Sequence, residues 1–398
     1  MTAQFHLAIE GENYAGWKSL RVTRGLERAS ADFELSVSER WALLDNAWQI
    51  MPGNTCEIYL DDELVLTGYV DRYGPSYSKD SHDVVCTGRS KTCDLVDSSI
   101  TNTDGQFKNL TPGQMARMLA APFGIEVVSD YDGEPIPDAQ VQQGETCFAL
   151  LERVSRLQEI LLTDDQDGRL VLTRAGAGQC SSVIEQGVNI LIASAEHDDS
   201  ERFSEYIVLA QRPGTKTVDD WSHIDPPDPP DPFAGLSPGQ RYARQRAAAT
   251  KATKPKTLTE ITGRVYDRGI TRYRPHVIIA ESQADGADAA KRADWEMRRR
   301  LARSKSASAT VNAWRQRDGR LWLQNENVFV NSPWLGLAEP LLISEVEYSY
   351  DDGGEVTTLD LVLPDTFLPE PKRKTKDDAK KKAGSGMWAH VIKGSGNT

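Results

Sequence analysis

The chain has 398 residues, 39% of them hydrophobic and 26% charged, with a net charge of −13 and a pI near 5.1. That length supports two to four domains with sizeable cores, while the acidity makes free DNA or an anionic membrane a poor main partner. No apolar run approaches the roughly 18 residues of a membrane-crossing helix, and Met1-Thr-Ala-Gln-Phe-His6 has neither the basic start nor the apolar centre of a signal peptide. No stable membrane insertion is expected, and the chain is expected to stay in a cytosol unless an assembly carries it out.

Residues 1–95 read as β. Phe5–Ile9, Ser19–Thr23 and Asp32–Val37 alternate polar and apolar side chains, the period of half-buried strands. Cys56–Leu60 and Glu63–Val70 flank Asp61-Asp62, a two-residue hairpin signal. Short strands at this spacing predict a small barrel or sandwich.

Residues 96–187 change character and predict an inserted α+β domain. Thr111-Pro112-Gly113-Gln114 is a helix start, with Thr as cap, Pro in the first turn and Gln at the capping-box position. Met115, Met118 and Leu119 then form an apolar face, and a second helix is expected over Glu145–Gln158 from Phe148, Leu151, Val154 and Leu157. A hairpin follows: Ile160–Thr163, a polar turn through Asp164, Asp165, Asp167 and Gly168, then Arg169–Thr173.

Residues 188–256 are expected to hold the strand Ser204–Ala210 returning to the first module, then a break. Asp225–Pro232 alternates Asp with Pro pairs, and such a stretch neither enters a sheet nor propagates a helix. Gln240–Lys256 stays open between helix and loop. Residues 257–366 predict a second β module: a strand at His276–Ala280, a helix over Asp285–Arg303 with Ala290, Ala293, Met297 and Leu301 on one face, and strands at Ala307–Ala313, Leu321–Leu323, Asn327–Val330, Leu341–Tyr348 and Glu355–Leu363. Asp351–Gly354 is read as the turn between the last two. Residues 367–398 form a basic tail in which Gly384-Ser-Gly386 and Gly394-Ser-Gly396 bracket Met387-Trp388-Ala-His-Val391-Ile392. That six-residue patch cannot fold alone. It is either solvated or a docking peptide, for example one that adds a strand to a partner's sheet edge, with Met387, Trp388, Val391 and Ile392 as the partner-binding residues.

Motifs for catalysis fail on inspection. Gly235-Leu-Ser237-Pro238-Gly239 has the nucleophile-elbow pattern, but the residue after the serine must donate its backbone N–H and Pro238 has none. Gly88-Arg-Ser-Lys91 lacks the spacing of a phosphate loop. Gly176-Ala-Gly178 precedes no convincing helix, and Asp164, Asp165 and Asp167 lack the ligand ladder of a calcium loop. The five cysteines (Cys56, Cys86, Cys93, Cys147, Cys180) are odd in number, scattered and without paired metal-ligand spacing, so they are expected buried and reduced. No catalytic residue, cofactor or metal site is assigned.

Val84–Ile100, in which an apolar strand enters Gly88-Arg-Ser-Lys91 and then Asp94-Leu-Val-Asp97, resembles the segment closing the first β module of baseplate hub proteins of contractile-tailed phages. It is similar to the phage Mu hub family in particular, with T-even hub and tail late-control proteins as relatives. Leu161–Gly176 resembles that family's inserted hairpin, Ala293–Ser304 its crossing helix, and Leu341–Tyr348 with Leu361–Pro364 its closing strands; the order and spacing cover most of residues 1–366. The resemblance implies a mainly β fold with two tube-like β-barrel modules and an inserted α+β domain. It also implies a structural, non-enzymatic homotrimer. That ring would adapt a hexameric tail tube to a trimeric central spike, in contact with tape measure and other baseplate proteins.

Three chains would carry three times −13, an acidic ring past which DNA slides without specific binding; solubility alone is the competing explanation of the acidity. Trp295, Trp314, Trp322 and Trp334 are interface candidates against a bland reading as core. The expected location is the tail baseplate of a virion, with assembly in the host cytoplasm. Two alternatives remain: a tail-borne peptidoglycan hydrolase, and the hub of a contractile secretion system.

Overall fold

Alternating apolar residues need a second layer to bury their inward face, and here the strands find it in one another. In the computed structural model of the chain, the described residues are 5–39, 50–79, 82–101, 105–158, 160–211, 260–279 and 286–367. They fall into two units, residues 1–198 with 305–369 and residues 199–304 with 370–398.

The first unit opens with β1 (Phe5–Ile9), β2 (Glu12–Tyr14), β3 (Ser19–Gly25), β4 (Asp32–Glu39), β5 (Thr55–Leu60), β6 (Glu63–Tyr77) and β7 (His82–Ser90). The Asp61-Asp62 turn is as expected, with Leu60 opposite Glu63 and Asp61 at a φ of 54°. β6 runs past its expected end at Val70. A register shift between Val70 and Arg72 lets it continue against β7, and Pro75 falls beyond the stretch bordered by β5, on an edge where proline is tolerated.

The insert comprises α1 (Cys93–Asp97), β8 (Gln106–Leu110), α2 (Pro112–Ala120), β9 (Val127–Ser129), β10 (Ile136–Gln140), α3 (Cys147–Ser155), β11 (Leu161–Asp164) and β12 (Leu170–Thr173). It has its own core, in which Leu95, Phe107, Met115, Leu119, Leu150, Leu151, Leu162 and Leu172 are buried. Both bonds of the Thr111–Gln114 capping box form. Met118, expected on the apolar face, is 55% exposed, because Met115, Ala116 and Leu119 already fill the buried stripe of this two-turn helix. α3 starts two residues later than expected, with Thr146 as its cap.

β13 (Gly178–Gln179), β14 (Ile184–Glu185) and β15 (Ile190–His197) follow. After them comes the second unit: β16 (Glu205–Gln211), β17 (Glu260–Tyr266), β18 (Pro275–Ile279) and α4 (Gly286–Arg303). β16 lies between antiparallel β17 and parallel β18, and α4 covers the face bearing Tyr206 and Val208 through Ala289 and Ala293. The strand at 205–211 therefore pairs with residues 260–279 and not with the first module. A parallel neighbour and a covering helix are the marks of a separate α/β layer. Gly263 is required here, since a Cβ would meet the Ala289 carbonyl carbon at 2.2 Å.

β19 (Lys305–Val311), β20 (Glu326–Ser332), β21 (Leu337–Asp351) and β22 (Gly354–Val362) return to the first unit. Leu321–Leu323 is not a strand; Leu321 makes a single bridge to Arg315. The large sheet runs β15-β19-β22-β21-β3-β4-β7-β6-β5-β1-β2, with β20 beside β21 and β13 and β14 beside β20. Two separate closed barrels are not formed among the described residues. A strand has two edges, and β3 gives one to β4 and the other to β21, leaving none to close the first module on itself. One hydrophobic core consequently runs through both halves, from Phe33, Leu35, Ile58 and Leu66 to Trp314, Trp322, Ile343 and Tyr348. Burying each such side chain contributes about 1.5–3 kcal/mol.

Candidate functional site

Gly88-Arg-Ser-Lys91, the turn singled out in the sequence, lies where the first β module meets the insert. A Cβ on Gly88 would come within 2.1 Å of the Tyr69 carbonyl oxygen and 2.5 Å of the Phe33 ring, so only glycine lets β6 and β7 cross there. Arg89 donates to Asp71 at 2.7 Å and to Asp97 at 2.8 Å, tying β7 to the first turn of the insert. The Ser90 hydroxyl lies 3.0 Å from that of Ser30 and 2.8 Å from that of Thr92. The motif is a structural joint with no open cradle for a phosphate.

The acidic hairpin turn completes the joint. Asp164 is the last residue of β11 and is buried; it accepts a hydrogen bond from the Ala31 N–H at 3.0 Å and lies 3.7 Å from the Arg24 guanidinium. Arg24 in turn donates to the carbonyls of Asp164 (2.8 Å) and Val65 (3.3 Å). Burial pushes the Asp164 carboxyl above the usual carboxylate range, with Arg24 opposing. Thr163 donates to the Gly25 carbonyl at 3.1 Å and Thr67 to the Gln166 carbonyl at 2.8 Å. Asp165 accepts from the backbone of Asp167 and Arg169, and Asp167 pairs with Arg169. All three carboxylates are engaged within the protein, as the polar-turn reading expects.

A second joint links the insert's exit to β20. Asn325, at a φ of 68°, accepts from the Gly176 N–H at 2.7 Å and donates to the Arg174 carbonyl at 2.8 Å. Buried Glu326 accepts from Gln316 (2.8 Å), Arg320 (3.0 Å) and the Cys180 thiol (3.3 Å). Sequence reasoning missed these residues. Arg24 had a legible signal, since strand parity puts it on the inward face with Leu20 and Val22.

All five cysteines are buried and free, and burial raises the Cys86 thiol to about 12 and the Cys93 thiol to about 11, far from thiolate chemistry. Among the described residues no group of three or more His, Cys, Asp or Glu side chains could hold a metal ion, and no helix is long and apolar enough to cross a membrane. Ser237 and the tail residues Met387, Trp388, Val391 and Ile392 lie outside the described residues.

The tryptophans separate cleanly. Trp314 and Trp322 are core, whereas Trp295 is half-buried between the guanidinium groups of Arg292 and Arg299. Trp334 is 87% exposed. It sits in the turn Pro333–Leu335, whose backbone is fixed from the segment before β15: Gln186 accepts from the Trp334 N–H at 3.3 Å and from the Ser332 hydroxyl at 2.9 Å. His197, at the end of β15, lies 3.0 Å from the Leu335 carbonyl oxygen. Val188, Leu191 and Ile192 from the same segment are also exposed. Exposed aromatics and aliphatics on a hydrogen-bonded turn are what protein interfaces use as anchors, so this region is the candidate contact surface among the described residues.

The chain resembles known proteins along nearly its whole length. Residues 4–90 match the family described as Mu phage baseplate assembly protein GpP-like, N-terminal; residues 92–174 match the second domain of baseplate hub protein gp44-like; residues 285–370 match the fourth domain of Mu phage baseplate assembly protein GpP. Baseplate hub protein gp44 of Escherichia phage Mu is 31% identical over 368 residues, covering 91% of this chain and 88% of the relative. The 43 kDa tail protein of prophage MuSo2 from Shewanella oneidensis has a similar structure, with a TM-score of 0.72 and 32% identity over 92% of this chain and 99% of that one. A tail protein from Neisseria meningitidis MC58 shares the fold at a TM-score of 0.65 and 20% identity, over 93% of this chain and 100% of that one. The match to gp44 spans both β modules, the insert and the joints between them, and the chain belongs to the Mu-type baseplate hub protein family.

Proposed function

We propose that the chain is a structural subunit of a contractile phage tail or tailocin, a homotrimeric hub that adapts the hexameric tail tube to the trimeric central spike. The observation that carries this reading is the continuous relationship to the Mu hub across 91% of the chain. The architecture supports it. Each chain contributes two β-rich halves to one sheet, so three chains offer six β-rich faces to a sixfold tube while the assembly stays threefold towards the spike. Its partners are further copies of itself, the spike, the tube, and the tape measure and other baseplate proteins; DNA passes without specific binding. The protein resides in the tail baseplate after assembly in the host cytoplasm.

In this reading the chain works by binding and carries no enzymatic activity. Light scattering on the purified protein tests the proposal. A species near three times 44.1 kDa is the expected result, and a monomer at every concentration would overturn it. A peptidoglycan zymogram separates the hub from a tail-borne hydrolase, with no clearing expected.

A further inference from the structure

The buried apolar side chains of the first unit fall into two separate clusters, one in the β module and one in the insert. Neither sheet of the insert, β8 with β10 or β9 with β11 and β12, shares a ladder with the large sheet among the described residues. What lies between the two bodies is polar. Arg24, Thr67 and Ser90 on the module and Thr92, Thr163 and Asp164 on the insert are all buried. Their hydrogen bonds cross the seam: Arg24 to the Asp164 carbonyl, Thr163 to the Gly25 carbonyl and Thr67 to the Gln166 carbonyl.

Such a seam differs from a core in what its opening costs. Parting apolar surfaces exposes them to water, whereas buried polar groups regain hydrogen bonds to water when they part. The Arg24–Asp164 pair regains most. The Arg24 Nε and one Asp164 oxygen have no hydrogen-bond partner in the closed seam, and a buried pair returns little net stability for its desolvation. Separating the bodies therefore requires less free energy than melting either core, as at the polar interfaces between mobile domains. The chain crosses the seam at Lys91–Thr92 and again at Arg174–Gly176, where Gly176 has a φ of 75°. Both crossings are short enough to act as pivots.

We infer that the insert undocks from the β module as one body, with both cores folded, and that the buried Arg24–Asp164 pair is the latch that holds it closed. Undocking involves the first unit alone and does not depend on the proposed trimer.

The protein carries its own reporters. Cys93 is buried at the seam, where the charges of Arg89 and Asp71 act on its thiol, and it belongs to neither core. Cys86 lies in the module's core and Cys147 in the insert's. Labelling of the folded full-length chain with iodoacetamide, read for each cysteine by mass spectrometry, tests the inference. Cys93 should label about ten-fold faster or more than Cys86 and Cys147. Ile58→Val in the module core and Ile125→Val in the insert core should each speed labelling within their own body by about two- to ten-fold. Neither should change the rate at Cys93, because both cores stay folded as the seam opens. Arg24→Met should raise the Cys93 rate by about ten-fold or more. One common rate for the three cysteines would overturn the inference, since the unit would then open only by unfolding. A Cys93 rate that follows the core variants would overturn it too. A fast Cys93 rate indifferent to Arg24→Met would mean that α1 frays by itself, and would equally overturn it.

Discussion

The buried pair Arg24–Asp164 illustrates how much of this fold rests on single polar groups. Asp164 joins insert to β module through Ala31 and Arg24, but the Arg24 Nε and one Asp164 carboxylate oxygen find no partner of their own. Such a pair gives little net stability against an apolar replacement, yet removing one member strands the other. Asp164→Leu and Arg24→Met should each destabilise the first unit by about 3–5 kcal/mol, while the double variant recovers most of the loss. Chemical denaturation of the four proteins, arranged as a cycle, checks this; equal and additive losses would count against coupling across the joint.

The second unit holds a residue with a pH signature. His276 stacks on Phe203 at 4.5 Å, and burial, reinforced by the Arg300 charge, lowers its imidazole below the usual value. The unfolded chain then binds the proton more readily than the folded one, so stability is lost as pH falls through the unfolded pKa near 6.5. Thermal unfolding should show a lower midpoint at pH 5 than at pH 7. His276→Phe, which keeps the stack and cannot titrate, should shrink that difference.

At the scale of elements, the β6–β7 crossing is built from glycine. A Cβ on Gly68 would meet the Arg89 carbonyl oxygen at 1.9 Å, and one on Gly88 would meet that of Tyr69 at 2.1 Å, backbone that cannot move aside. Gly88→Ala should cost about 3 kcal/mol by overpacking, measured by denaturation, where an ordinary glycine-to-alanine change in a strand is neutral or favourable. Most elements were legible because their signals are local. The Thr111–Gln114 cap, the Asp61-Asp62 turn and the alternation of β3, β4 and β22 each depend on a few neighbouring residues. What escaped was pairing between distant segments. Nothing local in Glu205–Gln211 says that its partners lie at 260–266 and 275–279, or in β3 that one edge belongs to β21. The partner-binding reading of Met387, Trp388, Val391 and Ile392 came from composition alone, and those residues lie outside the described ones.

Across the whole molecule the net charge of −13 conceals a division. Residues 1–198 and 305–369 carry a net −22, from 41 acidic and 19 basic side chains, and the rest of the chain is basic. If copies associate through the acidic unit, three times −22 is brought together, and like charges spread over such a surface repel until salt screens them. The uncharged run Ile190–Ala195 and the exposed Trp334 offer apolar contact within that field, and apolar contact does not weaken with salt. The proposed trimer should therefore form more readily as salt rises from about 0.05 M to about 0.5 M, where the screening length falls well below 10 Å. Light scattering at fixed protein concentration across that range reads the effect directly. Dissociation at high salt would instead mean that ion pairs between subunits dominate the interface, and Trp334→Ser would then leave the assembly intact when it should weaken it.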